Sequence, residues 1–150
     1  MAQPILQKIL CSLFFLLTTL YFSNDIHAVV DKPNAPLTIE GTKKVKAEDI
    51  FDLVDKLPDL ALVDARIRTD RIQGYIESSV SLPDIETSCS SLKNIVKSKA
   101  SPVLFYCNGV KCGRSGNAAK IALKCGYKNV YWFRGGFEEW KHKKLPFIKK

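Results

Sequence analysis

One cysteine stands where a buried strand should end and a glycine-rich, basic loop should begin. Residues 103–106 are apolar, and Cys107 follows them directly. The next residues include glycines and basic side chains, and an alanine-rich helical pattern starts near Ser115. Backbone N–H groups of such a loop and the positive end of a helix dipole stabilise an anion, and both lower the pKa of a cysteine thiol. The order of these parts predicts that Cys107 is a nucleophilic thiolate.

The rest of the chain predicts the elements that hold this loop. Apolar runs of strand length alternate with amphipathic helical patterns, which is typical of an α/β fold with a parallel sheet. The predicted strands are 37–39, 43–45, 60–63, 79–83, 103–106 and 129–133, and the predicted helices are 47–56, a short one within 66–75, one within 85–96, 115–123 and 137–141.

Ligands of parallel sheets bind outside the carboxyl ends of the strands, so the side chains that follow strand ends should share one rim. They are Asp64, Arg66, Asp84, Cys107 and Arg134.

Residues 1–28 are predicted to be a secretory signal peptide. A lysine precedes an apolar stretch at 9–22, polar residues follow, and Ala28 offers a cleavage point. The apolar stretch is short for a bilayer span, and an uncleaved inner-membrane anchor at these residues is the alternative. Residues 29–42 are then a lead-in segment, of which 29–36 is predicted to be flexible, and residues 43–147 form one domain of an exported, periplasmic or secreted protein.

The composition argues for a solvated basic surface rather than a polyanion site. The 150 residues carry a formal net charge of +8, but the lysines are scattered and form no nucleic-acid-binding motif, so no nucleic acid partner is expected. Four of the five cysteines lie beyond the leader. An even number in an oxidising compartment invites disulfides, but so apolar a chain is expected to hold its core without them.

Taken together, several segments resemble a single-domain rhodanese, a sulfurtransferase family. The matching segments are Leu62–Arg66, Gly74–Ile76 leading into Val80–Pro83, Tyr106–Cys107 with the following loop, Gly126–Tyr131 and Arg134–Trp140. The resemblance implies a central parallel sheet of about five strands flanked by helices on both faces. It also implies that Asp64 and Arg66 are the strand-end pair that braces the active-site loop.

The same resemblance implies a reaction. Cys107 would attack the sulfane sulfur of a donor such as thiosulfate, expel sulfite and become a persulfide, which a thiophilic acceptor then unloads. The partners would be a small sulfur-containing anion and a thiol acceptor, including a cysteine of a partner protein, and a membrane only if the leader is uncleaved. Neither a metal nor an organic cofactor is expected.

The loop would supply the donor site, because its N–H groups can curl round the terminal sulfur and its basic side chains attract an anion. The expected substrate-binding residues are Asn108, Gly109, Val110, Lys111, Cys112, Gly113 and Arg114.

The loop departs from the family pattern in length. Rhodanese domains commonly run Cys-x4-Arg, whereas Cys107 and Arg114 are separated by six residues. The Cys-x5-Arg loop of the related dual-specificity phosphatases is also exceeded, and export argues against a phosphoprotein substrate.

The loop also contains a second cysteine. Cys112 could attack a Cys107 persulfide, form a protective disulfide with Cys107, or remain a reduced spectator. Cys89 has no firm setting, and Cys125 is predicted to be a buried structural thiol at a helix end. Two thiolates fall short of four zinc ligands, so no metal site is expected.

Two other functions stay open beside sulfur transfer. The first is thiol–disulfide exchange through Cys107 and Cys112. The second is a non-catalytic module that carries sulfur or binds a partner.

Overall fold

A computed structural model describes residues 35–149 of the chain. The predicted signal peptide at 1–28, with its apolar stretch at 9–22, lies outside the described residues, as do residues 29–34 of the lead-in. Between residues 35 and 149, every helix is too short or too polar to cross a lipid bilayer.

Helices and parallel strands alternate along the described residues, as the apolar runs predict. In chain order the elements are β1 (Thr42–Val45), α1 (Asp49–Lys56), β2 (Ala61–Asp64), α2 (Arg68–Ile72), β3 (Val80–Ser81), a 3-10 turn (Asp84–Glu86), α3 (Cys89–Lys93), β4 (Val103–Tyr106), α4 (Arg114–Lys124), β5 (Val130–Phe133) and α5 (Gly136–His142).

Two elements are shorter than predicted. Strand β3 has only two residues, and it ends before Pro83, whose ring nitrogen cannot donate to a strand ladder. The helix predicted within 85–96 is reduced to α3, which starts where Ser88 and Ser91 cap each other's backbone N–H groups. The residues between Pro83 and Ser88 form the 3-10 turn instead.

The five strands form one parallel sheet in the order β1-β5-β4-β2-β3. Strand β4 is central, and its last residue, Tyr106, pairs with Asp64 on one side and Phe133 on the other. The strands therefore end at one level, and Cys107 emerges from the middle of that edge. This arrangement confirms the predicted α/β sheet of five strands.

Helices cover both faces of the sheet. Val63 and Phe105 pack on the face covered by α3 and α4, where Ala118 and Ala122 let α4 approach closely. On the other face, α1 and α5 cover a second core, which includes Ile50, Leu62, Leu104, Phe133, Phe137 and Trp140. Strand β4 contributes to both cores and is buried along its whole length, which fixes the position of the residue that follows it.

The described part of the lead-in is not a free segment, and residues 37–39 do not form the predicted strand. Ala35 and Ile39 are buried against Trp132. The guanidinium of Arg134 donates hydrogen bonds to the carbonyl oxygens of Pro36 and Ala35, at 2.7 and 3.2 Å. Apolar burial and these bonds to Arg134 hold the segment, so the prediction of a flexible lead-in is wrong for residues 35 and 36.

A disulfide joins Cys89 at the start of α3 to Cys125 at the end of α4, with a Cα–Cα distance of 5.4 Å. The prediction that Cys125 is a buried structural thiol is therefore wrong: the residue is half-buried and bonded. Helices α3 and α4 lie on the same face of the sheet, and this packing brings the two cysteines together although 36 positions separate them.

The double variant Cys89→Ser/Cys125→Ser should lose about 3–4 kcal/mol of unfolding free energy, because the disulfide restricts the unfolded chain over a long loop. Urea unfolding under non-reducing conditions measures this loss. Adding a reductant should lower the stability of the wild-type chain to near that of the variant. Equal stability of wild type and variant without reductant would contradict the prediction.

Candidate active site

The loop after β4 holds two cysteines, and they are bonded to each other. Cys107 is 1% exposed and forms a disulfide with Cys112, with a Cα–Cα distance of 6.3 Å. The N–H of Cys112 donates to the carbonyl of Gly109 at 2.9 Å, and this turn brings Cys112 back towards Cys107. Of the three roles that the sequence leaves open for Cys112, the structure contains the disulfide.

The first residues of the loop are fixed by the N-terminus of α5. The N–H groups of Phe137 and Glu138 donate to the carbonyls of Cys107 and Asn108, at 2.8 and 2.7 Å. Gly136 allows this approach, because its φ is +60° and a Cβ there would collide with the Cys107 carbonyl oxygen. Sequence reasoning assigned α5 no role at the site, and the Gly-Gly pair before it was the signal that could have revealed one.

The carbonyls of Cys107, Asn108 and Gly109 therefore accept hydrogen bonds, whereas several N–H groups of the loop donate none. Among the residues that the structure describes, the N–H groups of 108–111 have no hydrogen-bond partner. The eleven-residue helix α4 starts at Arg114, directly after the loop, and its first N–H groups add positive potential. Free loop N–H groups followed by a helix N-terminus are the type of backbone that stabilises negative charge.

Asp70 of α2 is a residue of this site that sequence reasoning missed. Its carboxylate accepts a hydrogen bond from the Asn108 side chain at 2.8 Å and lies 3.6 Å from the Arg114 guanidinium. Arg114 also lies 3.7 Å from Asp84. Two carboxylates therefore offset the charge of Arg114, which is less available to an anion than the sequence suggested. Asp70 stands in a polar stretch with no motif to single it out.

Asp64 and Arg66 form the expected pair, and it is fully buried. Asp64 is 0% exposed and Arg66 is 2% exposed. Arg66 donates to both carboxylate oxygens of Asp64, at 2.9 Å from Nε and 2.6 Å from Nη2. Arg71 and the hydroxyl of Tyr106 also donate to Asp64, each at 2.9 Å. Burial raises the pKa of Tyr106 and the Asp64 charge raises it further, so the hydroxyl remains a donor.

This buried cluster supports the loop through α2 rather than by direct contact. Arg66 donates to the backbone carbonyls of Gly74 and Asp70, at 2.8 and 3.4 Å, and so holds the middle of α2 and the turn that follows it. Asp70 then holds Asn108. The two strand-end residues are therefore positioning residues that lie beneath the rim.

A small cavity of about 110 Å³ lies on the loop, and it is lined by Asn108, Gly109, Lys111, Cys112, Arg114 and Glu138. Five of the expected substrate-binding residues line it. The other two do not: Gly113 is buried, and Val110 is 45% exposed and lines a separate depression together with Arg134.

Arg134 therefore does not line the loop cavity, although the sequence predicts that it shares a rim with Cys107. Its guanidinium is engaged by the carbonyls of residues 35 and 36.

The cavity on the loop is not the largest one in the described part of the chain. A larger cavity, of about 410 Å³, is lined by Phe51 and other residues of α1, by Trp140 of α5 and by residues between 57 and 78, but by none of the residues 107–114. Between residues 35 and 149, no three His, Cys, Asp or Glu side chains come together in a way that could hold a metal ion. The expectation of a metal-free, cofactor-free protein stays a prediction.

Residues 47–143 match the family model described as "Rhodanese-like domain". A rhodanese domain-containing protein of Drosophila melanogaster is 34% identical over 101 residues, which cover 57% of this chain and 86% of that protein.

Solved structures share the fold. A thiosulfate sulfurtransferase of Pseudomonas aeruginosa superimposes with a TM-score of 0.61 at 20% identity, over 72% of this chain and 20% of the other. A polysulfide-sulfur transferase homodimer of Wolinella succinogenes gives a TM-score of 0.59 at 21% identity, over 73% and 80% of the two chains. At such identities the likeness establishes the architecture alone.

Proposed function

This chain belongs to the rhodanese-like domain family, and on that premise we propose that it is a sulfurtransferase that carries sulfane sulfur on Cys107. The donor is a small sulfur-containing anion such as thiosulfate. The acceptor is a thiophile: cyanide, a small thiol or a cysteine of a partner protein.

The observation that carries this proposal is the environment of the Cys107 sulfur. It lies at the end of the buried central strand, beside a loop whose N–H groups at 108–111 have no partner within the described residues. These groups and the N-terminus of α4 favour the thiolate over the thiol. The same groups would stabilise the negative charge of a persulfide.

The disulfide to Cys112 must be reduced before Cys107 can react. The Cys107 thiolate then attacks the outer sulfur of thiosulfate, a new S–S bond forms, and sulfite leaves with the electron pair of the broken S–S bond. A thiophilic acceptor next attacks the outer sulfur of the persulfide. The Cys107 thiolate leaves, and the loop N–H groups receive its charge again.

The test begins with the reduced full-length Cys112→Ser variant, in which Cys107 cannot return to the loop disulfide. After treatment with thiosulfate, mass spectrometry should find one additional sulfur atom on the peptide that contains Cys107. Cyanide should remove that sulfur as thiocyanate, and steady-state turnover would distinguish an enzyme from a carrier. A chain that takes up no sulfur from thiosulfate or from a polysulfide donor would contradict the proposal.

The acidic side chain at the loop cavity should weaken the binding of an anionic donor. Glu138 lines that cavity with Lys111, while Arg114 is shared between two carboxylates. Replacing Glu138 by glutamine removes one negative charge and should lower KM for thiosulfate by about threefold to fivefold, with a smaller change in kcat.

Glu77→Gln is the matched control, because Glu77 lines the large cavity instead and its change should leave KM for thiosulfate unaltered. An unchanged or higher KM in Glu138→Gln would show that the donor does not approach along this side of the loop.

Thiol–disulfide exchange is the second candidate, and the bond between Cys107 and Cys112 favours it. An exchange enzyme would transfer this disulfide to a reduced substrate protein, or accept electrons from one, without taking up sulfur from thiosulfate. Peptide mapping of Cys112→Ser after thiosulfate treatment distinguishes the two, since only sulfur transfer leaves an extra sulfur atom on Cys107.

We also propose that the protein is exported, with cleavage after Ala28 and with membrane anchoring by residues 9–22 as the alternative outcome. Two disulfides between residues 35 and 149 support an oxidising compartment. N-terminal sequencing of the chain from its native compartment should read from Val29.

A further inference from the structure

Cys112 lies within bonding distance of Cys107 on the loop that would carry the sulfur. We propose that Cys112 is a second catalytic residue, which attacks the Cys107 persulfide and releases the sulfane sulfur as hydrosulfide, after which a dithiol reductant reopens the disulfide. This inference rests on the proposed sulfurtransferase function and specifies its product and its reductant.

The step balances without any further reactant. The Cys112 thiol gives its proton to the terminal sulfur of the persulfide, and the resulting thiolate attacks the inner sulfur, which is the Cys107 Sγ. A bond forms between the two Sγ atoms, the persulfide S–S bond breaks, and hydrosulfide leaves with its electron pair. The sulfane sulfur is thereby reduced by two electrons, and the two cysteines are oxidised to the disulfide that the structure contains.

The geometry favours attack on the inner sulfur. The bond between the Cys107 and Cys112 Sγ atoms is the product of that attack, and the loop already accommodates it. The turn from Gly109 to Cys112 holds the second cysteine against the first. Attack on the outer sulfur would instead leave the persulfide on Cys112, and nothing in the loop geometry favours that product.

The difference in burial between the two cysteines determines which sulfur the reductant attacks. Cys107 is 1% exposed, whereas Cys112 is half-buried and lines the loop cavity beside the exposed Lys111. An incoming thiolate therefore reaches the Cys112 sulfur first and forms a mixed disulfide there. Cys107 leaves as the thiolate that the loop N–H groups stabilise, and a thiol of low pKa is the better leaving group. The second thiol of the reductant then frees Cys112, which is why a dithiol is the fitting class.

The test compares the full-length wild type with Cys112→Ser, both reduced and then freed of reductant in the absence of oxygen. Each receives one equivalent of thiosulfate and no acceptor. The wild type should release hydrosulfide equal to the sulfite released and end as the Cys107–Cys112 disulfide. The variant should keep the sulfur on Cys107 and release hydrosulfide more than about tenfold more slowly. Cys89→Ser/Cys125→Ser, which keeps the loop cysteines, should behave as the wild type.

The remaining outcomes each overturn the inference in a recognisable way. Equal retention of the sulfur in wild type and Cys112→Ser would leave sulfur transfer intact but remove the role of Cys112. Equally fast release of hydrosulfide from both proteins would do the same. An extra sulfur found on the Cys112 peptide would identify a relay between the two cysteines. Failure of every protein to take up sulfur would overturn the proposed sulfurtransferase function itself. Cys112→Ala serves as a second variant should the serine substitution disturb the loop.

Discussion

Replacing Cys107 by serine is expected to reduce sulfur transfer from thiosulfate to cyanide by a factor of about a thousand or more. A serine hydroxyl does not ionise near neutral pH, so the loop N–H groups have no thiolate to stabilise. The side chain is 1% exposed and serine is slightly smaller than cysteine, so the fold should persist. Thiocyanate formation measures the activity, and the intact mass after thiosulfate treatment should show no added sulfur.

The control for this variant is Cys89→Ser/Cys125→Ser, which removes the other disulfide and leaves the loop unchanged. It should transfer sulfur from thiosulfate to cyanide as the wild type does, even though it is less stable. If Cys107→Ser transferred sulfur at the wild-type rate, the nucleophile would have to be another residue and the proposed mechanism would be wrong.

Replacing Asp64 by alanine is expected to lower the free energy of unfolding by about 3–5 kcal/mol. The variant leaves the guanidinium of Arg66, which is 2% exposed, with a buried charge and no carboxylate. Arg71 and the Tyr106 hydroxyl lose the same acceptor. Chemical denaturation followed by circular dichroism measures the loss. Sulfur transfer should also fall, because α2 and Asp70 would no longer be held against the loop.

Asp59→Ala is the matched control, since it removes a carboxylate from an ion pair with Lys97 in which both side chains are exposed. Its cost should stay below about 1 kcal/mol. Should Asp64→Ala not fold at all, Asp64→Asn retains an acceptor of the same shape and should give a smaller, measurable loss. A cost for Asp64→Ala as small as that for Asp59→Ala would mean that the buried cluster adds nothing to stability.

The strands and the position of Cys107 could be predicted because their signals are local. The run at 103–106 is apolar on both faces of a strand, and only the centre of a covered parallel sheet buries both faces. Once β4 is central, the residue after it must emerge at the carboxyl edge of the sheet. The end of the strand and the position of the candidate nucleophile can therefore be predicted from the same few residues.

The features that sequence reasoning missed depend on contacts between distant segments. The disulfide between Cys89 and Cys125 forms because α3 and α4 pack together, and no pattern in the residues around either cysteine indicates that packing. Asp70 acquires its role only when α2 packs beside the loop. Arg134 was expected near the loop because it follows a strand, but its charge is used by carbonyls of the lead-in segment, about a hundred residues earlier in the chain.

The loop is rigid on one side and accessible on the other. Asn108 is held by Asp70 and by α5, whereas Val110 and Lys111 are exposed. The residues that exceed the usual family spacing can therefore lie on the accessible side. On the proposed function, substitutions at positions 110 and 111 are expected to change which acceptor binds while Cys107 stays in place. The extra loop length would then tune specificity without altering the chemical step.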